Sequence, residues 1–323
     1  MKCYFCLTAP DAENEIYLSL FNLSIKSALN NTKLNLCILY DGPQDHACYK
    51  LIENYKKSHT NRVSVINHEF SHKKYLEDTY PSEYLDKFDI HTSYDKLAGT
   101  FMRLDIPFIE KEDEFVLYSD IDVYFNSDIR LSDLPKPTYL AAAPEFEKDV
   151  QKMRYFNAGV LILNTQNMKN KCKKIFEDLK EGKANQIGLF DQGFLNQYCF
   201  EDMDLLPIEY NWKPYWGINP TAKIIHYHGI KPGGSYKNSG FSMKEKTLFY
   251  MSNLYPKSIS GLIYYIQLYF FESKIYNDQW FPEFIEKLVR VNQKYITPNV
   301  EQVSSKDLKK ILKIYIQNKL HLP

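Results

Sequence analysis

Two carboxylates stand one position apart at the end of an apolar run in the middle of the chain. The run covers residues 115–125, FVLYSDIDVYF, and contains Asp120 and Asp122. A strand of this composition is normally buried, where a carboxylate is costly without a neutralising partner. Because side chains i and i+2 of a strand share a face, the pair is predicted to hold a divalent cation against a phosphate. The alternative is that the strand simply ends there and both carboxylates are solvated.

A second group of polar residues occupies residues 226–234, HYHGIKPGG, after a predicted strand. His226 and His228 offer neutral nitrogen ligands, and Lys231 offers a positive charge. The glycines let the backbone approach an anion closely. These residue types together predict a metal and phosphate site.

Three further positions complete the set of candidate functional residues. Asn157 opens a corner of small residues, Asn-Ala-Gly, within a strong apolar strand, where a ligand could reach the backbone. Asp191 precedes a predicted helix, where an N-cap role is compatible with a catalytic one. Arg103 lies in a predicted helix, residues 95–109, and either serves the site or covers a surface with its stem.

The elements that must position these residues alternate in type. Strands 3–7, 34–40 and 62–67 alternate with helices that begin at residue 15 and span 47–57. This order predicts an α/β fold with a parallel sheet covered by helices. In such sheets, ligands bind beyond the carboxyl ends of the strands.

Composition excludes some classes of function. The 323 residues carry 40 basic and 40 acidic side chains, so no bulk charge favours nucleic acid, and no basic groove signature is present. The six cysteines are scattered, and the single CxxC pair, Cys3 and Cys6, is predicted to consist of buried structural thiols, with a redox or metal site as the alternative. The N-terminal apolar run is too short for a signal peptide or a membrane span, so a reducing, cytoplasmic setting is expected.

The character of the chain changes beyond residue 240. Residues 1–240 are predicted to form the catalytic domain, and residues 241–323 a helical, aromatic and Lys-rich region. The apolar stretch 261–271 is too short to span a bilayer. Residues 305–320 form a basic amphipathic pattern, which is compatible with a peripheral contact to an anionic membrane surface or with packing on the domain.

Taken in order, five motifs resemble a known family, the retaining glycosyltransferases of family 8, which includes bacterial lipooligosaccharide galactosyltransferases and glycogenin. The resemblance covers about residues 3–232. Its last motif, HxxGxxKPW, is altered here, because one residue is missing between Gly229 and Lys231 and the Trp is absent. The five matching stretches are TFMRL at 100–104, LYSDIDV at 117–123, FNAGV at 156–160, DQGFLN at 191–196 and HYHGIKPG at 226–233.

The resemblance implies a GT-A fold, a UDP-glucose or UDP-galactose donor, and Mn²⁺ or Mg²⁺. It implies metal ligands at Asp120, Asp122 and His226, the last preferred to His228 by motif position. It implies nucleotide contacts at Thr8, Ala9, Asp11, Ser119, Gly229 and Lys231. It implies donor-sugar contacts at Arg103, Asn157, Ala158, Asp191 and Gln192, of which Asp191 and Gln192 are the catalytic candidates.

The expected reaction is hexose transfer to a glycan or glycolipid acceptor, in the synthesis of bacterial surface polysaccharide or lipooligosaccharide, at the inner face of the membrane. Retention requires the acceptor to attack the face that the diphosphate leaves. Because Gln192 is a weak nucleophile, same-face attack is favoured over a covalent intermediate on Asp191. The alternatives are a nucleotide-sugar hydrolase and a non-catalytic protein that binds carbohydrate or nucleotide.

Overall fold

The computed structural model describes residues 1–9, 15–87, 93–183 and 190–228, together with residues 261, 262, 264–266, 268 and 269. The described residues fall into two compact units. The first consists of Met1–Asn211 and Ala222–Ile224, and the second of Trp212–Thr221 and the described part of Ile225–Pro323.

A mixed seven-stranded sheet, in the order β3-β2-β1-β4-β7-β6-β8, is the centre of the first unit. Strands β3, β2, β1 and β4 are parallel as predicted, but β7 runs antiparallel to both β4 and β6. A separate two-stranded sheet pairs β5 with β9. The strands are β1 Lys2–Thr8, β2 Asn35–Asp41, β3 Val63–Asn67, β4 Phe115–Ser119, β5 Val123–Phe125, β6 Leu140–Pro144, β7 Phe156–Asn164, β8 Asp204–Leu205 and β9 Ile224–His226.

Helices cover both faces of the large sheet, so its strands are buried on both sides. Along β1, Tyr4 and Cys6 pack in one hydrophobic core, while Cys3, Phe5 and Leu7 pack in the other. This alternation explains why the strand is almost continuously apolar. The helices are α1 Glu15–Asn31, α2 Ala47–Ser58, α3 Leu76–Thr79, α4 Ser82–Lys87, α5 Tyr94–Phe101, α6 Ile106–Ile109, α7 Met168–Lys180 and α8 Phe190–Cys199.

The predicted helix 95–109 is divided into α5, a 3₁₀ turn Met102–Asp105, and α6. Pro107 lies in the first turn of α6, where a backbone N–H donor is not needed. Inside a continuous helix the same position would need that donor, so the proline favours the start of a new helix here. The tighter turn carries Arg103. Residues 68–93, whose polar and aromatic sequence has no clean period, contain α3 and α4 among their described residues.

The predicted single strand 115–125 is wrong, because β4 ends at Ser119 and β5 begins at Val123 in another sheet. Hydroxyl groups on α1 also bind the backbone of β5. Val123 N–H donates to Ser24 Oγ over 3.2 Å, and Phe125 N–H donates to Ser27 Oγ over 3.0 Å. The two candidate carboxylates therefore lie in the connection between two strands, and not on one face of one strand.

In the second unit, the described helical residues between 261 and 269 pack around two tyrosines. The Tyr227 hydroxyl donates to the Tyr265 carbonyl oxygen over 2.8 Å, and Asn219 N–H donates to the Tyr265 hydroxyl over 3.0 Å. Among the described residues, no helix has the length and apolar character needed to cross a membrane. Residues 305–320 lie outside the described residues.

All six cysteines are free and buried, in agreement with a role as structural thiols. Burial raises the pKa of the Cys3 and Cys6 thiols well above the ordinary value. These thiols therefore stay protonated at neutral pH and behave as small apolar side chains.

Glu110 occupies a buried polar site that follows α6. Burial alone would raise the pKa of its carboxyl, but donors outweigh that effect and lower the pKa to about 2. The donors include the Glu112 N–H at 2.7 Å, the Tyr4 hydroxyl at 2.7 Å and the Lys2 ammonium at 3.0 Å. The ionised carboxylate is thus favoured by the folded state.

We expect Glu110→Gln to lower the free energy of unfolding at pH 7 by roughly 2 kcal/mol, because a depressed pKa is stabilisation of the folded state. That contribution is complete above the unfolded pKa of 4.5 and is lost as the pH falls toward 2. Urea unfolding at pH 7 and at pH 3 measures it. A difference between the two proteins that stays constant over this range would contradict the assignment.

Candidate active site

Arg103 is the buried cation at the centre of the candidate site. Its Nη2 donates to Asp120 Oδ1 over 3.0 Å, and its Nη1 donates to the Ala158 carbonyl oxygen over 2.5 Å. Its Nε–H is directed at the Thr100 carbonyl oxygen, 2.9 Å away, within the same turn of chain. The side chain is only 8% exposed, so the guanidinium has lost most of its hydration and depends on these partners.

Asp191 is the second acidic partner of Arg103. Its Oδ2 lies 3.0 Å from Arg103 Nε, but it accepts no hydrogen bond, since that N–H points at Thr100. Burial raises the pKa of Asp191 to about 6, against the opposing effect of Arg103 and with a further contribution from Asp120. One arginine therefore lies against two carboxylates, those of Asp120 and Asp191.

Asp120 is held by Arg103 and by Tyr118 of the preceding strand, β4. The Tyr118 hydroxyl donates to Asp120 Oδ1 over 2.6 Å. Burial raises the pKa of Tyr118 well above the ordinary value, so this hydroxyl keeps its proton and acts as a donor. Ser119 is fully buried, and its hydroxyl donates to the Asp120 carbonyl oxygen over 3.0 Å.

Asp120, Asp122 and His226 form a group of three candidate metal ligands. Each offers one ligand atom, and these atoms all lie within 4.8 Å of one another. Asp122 and His226 are buried, whereas Asp120 is partly exposed. Two carboxylate oxygens and one imidazole nitrogen are a donor set that suits Mn²⁺ or Mg²⁺. His228, the other candidate, is not part of this group among the described residues.

The orientation of the Gln192 amide is fixed by a backbone donor. The Ala158 N–H lies 2.7 Å from Gln192 Oε1, so this atom must be the carbonyl oxygen. Asn157 Nδ2 adds a longer contact to the same oxygen, at 3.4 Å. The Gln192 carbonyl oxygen is thereby occupied, and the Gln192 side chain also forms a hydrogen bond with the Tyr155 side chain.

Asn157 uses its amide fully within the protein. Its Nδ2 donates to Glu145 Oε2 over 2.6 Å as well as to Gln192. Its Oδ1 accepts from Gly159 N–H at 3.0 Å and from Asn211 Nδ2 at 2.8 Å. Both hydrogens and both lone pairs of this amide thus have partners. A sugar could contact Asn157 only by replacing one of them.

A further amide attaches α8 to the end of β7. Asn196 Oδ1 accepts from Phe156 N–H over 2.8 Å, while its Nδ2 donates to the Phe156 carbonyl oxygen over 2.9 Å. The Asn196 amide thus makes the two hydrogen bonds to Phe156 that the backbone of a neighbouring strand would otherwise make. It sets the position of α8, and therefore of Asp191 and Gln192, relative to Ala158.

Asp191 itself does not cap α8. The helix begins at Phe190, so Asp191 is in its first turn and the predicted N-cap position is wrong by two residues. The backbone of Phe190 has a φ of 59°, in the left-handed region that is unusual for a side chain of this size. Strain of this kind is often found close to functional residues.

The nucleotide candidates lie at the ends of β1 and β2. Thr8 ends β1 opposite Asp41, the last residue of β2. A Cβ on Gly42 would lie 2.6 Å from Ala9 Cβ, so only glycine permits this close approach. The remaining nucleotide candidates, Asp11, Gly229 and Lys231, lie outside the described residues.

Three residues of the site were not found from the sequence. Tyr118 and Glu145 sit beside strand ends as isolated polar residues, and Asn211 follows no recognisable motif. The sequence feature that could have identified Tyr118 is its hydroxyl group, which stands in an otherwise apolar strand close to the two carboxylates. Glu145 and Asn211 are recognisable only through their contact with Asn157.

Comparison with known proteins places the chain in context. The sequence profile described as Glycosyl transferase family 8 matches residues 12–234. No curated protein sequence matches the chain.

Solved structures with similar folds include glycosyltransferases. The glycosyltransferase GlyE of Streptococcus pneumoniae TIGR4 has 18% identity and a TM-score of 0.55, with 88% of this chain and 63% of that chain covered. The bifunctional WbbM has 20% identity and a TM-score of 0.51, with 72% and 46% covered. An active-site mutant of LgtC has 18% identity and a TM-score of 0.50, with 79% and 96% covered. This chain therefore spans less than half of the WbbM chain, and the architecture it shares with these proteins is the GT-A fold.

We expect Arg103→Met to lower the free energy of unfolding by about 3–5 kcal/mol, because two buried carboxylates lose their counterion. Adding Asp191→Asn to this variant should recover part of the loss, since it removes one uncompensated charge. Urea unfolding of both single variants and the double variant measures the coupling. Arg130→Met is the control, because Arg130 is 72% exposed and pairs only loosely with Asp128, at 3.6 Å. Strictly additive effects at positions 103 and 191 would contradict the shared ion pair.

Proposed function

Because this chain belongs to glycosyltransferase family 8, we propose that it transfers a hexose from UDP-glucose or UDP-galactose to a glycan or glycolipid acceptor, with retention of anomeric configuration. The observation that carries this proposal is the group formed by Asp120, Asp122 and His226. Two acids and a histidine gathered in this way are suited to a divalent cation that binds a diphosphate.

The proposed metal is Mn²⁺ or Mg²⁺. The chemistry of the donor set supports this choice, because oxygen ligands with one imidazole suit hard and borderline divalent cations. When bound, such an ion supplies positive charge that neutralises a leaving diphosphate. Asp120, Asp122 and His226 would hold it.

The proposed donor-sugar site consists of groups with fixed geometry. Arg103 and Asp191 supply a charged pair, with an Arg103 Nε to Asp191 Oδ2 distance of 3.0 Å. Gln192 is held by the Ala158 N–H, which donates to its Oε1, and by a hydrogen bond with the Tyr155 side chain. Asn157 keeps Gln192 and Glu145 in place. Charged and polar groups that are fixed before substrate binds stabilise developing charge without reorganisation.

The hydrogen bonding of Gln192 favours same-face attack by the acceptor. A carbonyl oxygen that already accepts two hydrogen bonds, at 2.7 and 3.4 Å, is a poorer nucleophile than a free amide. Asp191 is ionised near neutral pH but is paired with Arg103. We therefore propose that the leaving phosphate guides the acceptor hydroxyl to the face from which it departs, without a covalent intermediate.

The nucleotide would bind at the carboxyl ends of β1 and β4. Thr8, Ala9 and Ser119 lie at these ends, which is where open α/β sheets bind ligands. Asp11, Gly229 and Lys231 are proposed to complete the contacts with the nucleotide and its diphosphate.

The proposed biological setting is the synthesis of bacterial surface polysaccharide or lipooligosaccharide on the cytoplasmic face of the membrane. We propose residues 1–240 as the catalytic domain and residues 241–323 as the region that contacts the acceptor or the membrane surface. The aromatic and Lys-rich composition of the second region supports this division.

We expect Asp122→Asn to reduce metal-dependent release of nucleotide from the correct nucleotide sugar at least 100-fold, because one charged ligand is lost while the shape of the side chain is kept. The measurement is a screen of nucleotide sugars with Mn²⁺, in the presence and absence of glycan acceptors. Asp149→Asn, which removes an exposed acid whose Oδ2 lies 3.5 Å from Lys152 Nζ, is the control.

Each outcome of this screen is informative. Full activity of Asp122→Asn in the presence of a chelator would refute the metal assignment. Rapid hydrolysis that no acceptor increases would indicate a nucleotide-sugar hydrolase. Tight Mn²⁺-dependent binding of nucleotide without turnover would indicate a binding protein.

A further inference from the structure

Tyr118 makes two separate contacts with the charged residues of the candidate site. Its hydroxyl donates to Asp120 Oδ1 over 2.6 Å, and Arg103 Cζ lies 4.3 Å from the centre of its ring. The proposed function gives Tyr118 no part. A tyrosine that touches both a candidate metal ligand and the cation paired with that ligand is nevertheless well placed to control their geometry.

The ring of Tyr118 is held rigidly. It is 2% exposed and packs in a hydrophobic core with Cys6 and Phe101. Its strand, β4, is bonded on both sides, with Tyr118 in register with Tyr4 on β1 and with Leu161 on β7. A residue fixed by two neighbouring strands and a packed core presents its hydroxyl at one position.

The backbone of Asp120 is held by one hydrogen bond, from its N–H to the Gly159 carbonyl oxygen over 2.7 Å, and its side chain depends on separate donors. Its side chain is 28% exposed, and it follows the end of β4 in the connection to β5. The donors from Tyr118 and Arg103, at 2.6 and 3.0 Å, converge on the same oxygen, Oδ1. Two donors on one oxygen restrict the rotation of the carboxylate.

We propose that Tyr118 is a positioning residue that, with Arg103, holds Asp120 in the orientation in which it would join Asp122 and His226 in binding a divalent cation. This inference rests on the proposed function, because it concerns the same metal. Carboxylates that ligate metals are commonly held by outer hydrogen bonds, and loss of such a bond typically weakens metal binding by roughly 10–100-fold.

The test compares Mn²⁺ binding by the full chain and by Tyr118→Phe, with no nucleotide present. Free Mn²⁺ is measured by electron paramagnetic resonance during titration, so the result does not depend on catalysis. We expect an increase in Kd of about 10-fold or more. Phenylalanine keeps the ring that packs in the core and stacks on Arg103, and only the hydrogen bond to Asp120 is removed.

Tyr4→Phe is a matched control. Tyr4 is also 2% exposed and is the register partner of Tyr118 on β1. Its hydroxyl donates over 2.7 Å to a different carboxylate, that of Glu110. This variant removes the same chemical group from the same sheet, so it should shift the urea midpoint while leaving the Mn²⁺ affinity unchanged.

Arg103→Lys tests the second donor to Asp120. It replaces Tyr118→Phe as the test if that variant does not fold. Lysine keeps the charge but cannot reach Asp120 and Ala158 together, so weaker Mn²⁺ binding is expected here too. An unchanged Mn²⁺ affinity in folded Tyr118→Phe, or an equal loss in Tyr4→Phe, would overturn the inference and leave the proposed function standing. If the unsubstituted chain binds no Mn²⁺, the proposed metal is wrong and this inference falls with it.

Discussion

The pairing of one buried arginine with two carboxylates is the constraint on which the candidate site depends. A guanidinium that has lost its hydration needs hydrogen-bond acceptors or negative charges around it. Arg103 has such partners on three other parts of the chain. Asp120 follows β4, Ala158 belongs to β7 and Asp191 to α8. The arginine thus determines how closely these three elements approach. It also sets the local charge, because one cation is divided between two acids.

Neutral amides perform the complementary task of fixing the end of β7 against α8. Asn196 bonds to both backbone groups of Phe156, and Gln192 accepts from the backbone of Ala158. Asn157 has all its hydrogen-bonding capacity in use. A buried polar network that is fully satisfied is rigid and specifies one arrangement, whereas a partly satisfied network is costly. The rigidity of this region is therefore a property of its side-chain amides as much as of its strands.

The differences between the predicted and observed elements have definite physical causes. Apolar periodicity predicted one strand over residues 115–125, but it carries no information about which partner a strand bonds to. In the structure, β4 ends at Ser119, and the serines of α1 bind the backbone of a separate strand, β5. The antiparallel direction of β7 could not be predicted from its sequence either. A strand that is buried on both faces has the same apolar pattern in either direction.

The sequence by itself determined the order of strands and helices in the first half of the chain, and the identity of the acidic, amide and histidine candidates, because these depend on local pattern and side-chain chemistry. Only the tertiary structure decided how the candidates are joined. It brought Glu145 and Asn211 to Asn157, gave Tyr118 a contact with Asp120, and determined which oxygen of each amide or carboxylate is occupied. Such contacts join residues that are far apart in the sequence or depend on a single hydrogen bond, and neither can be derived from periodicity or motif spacing.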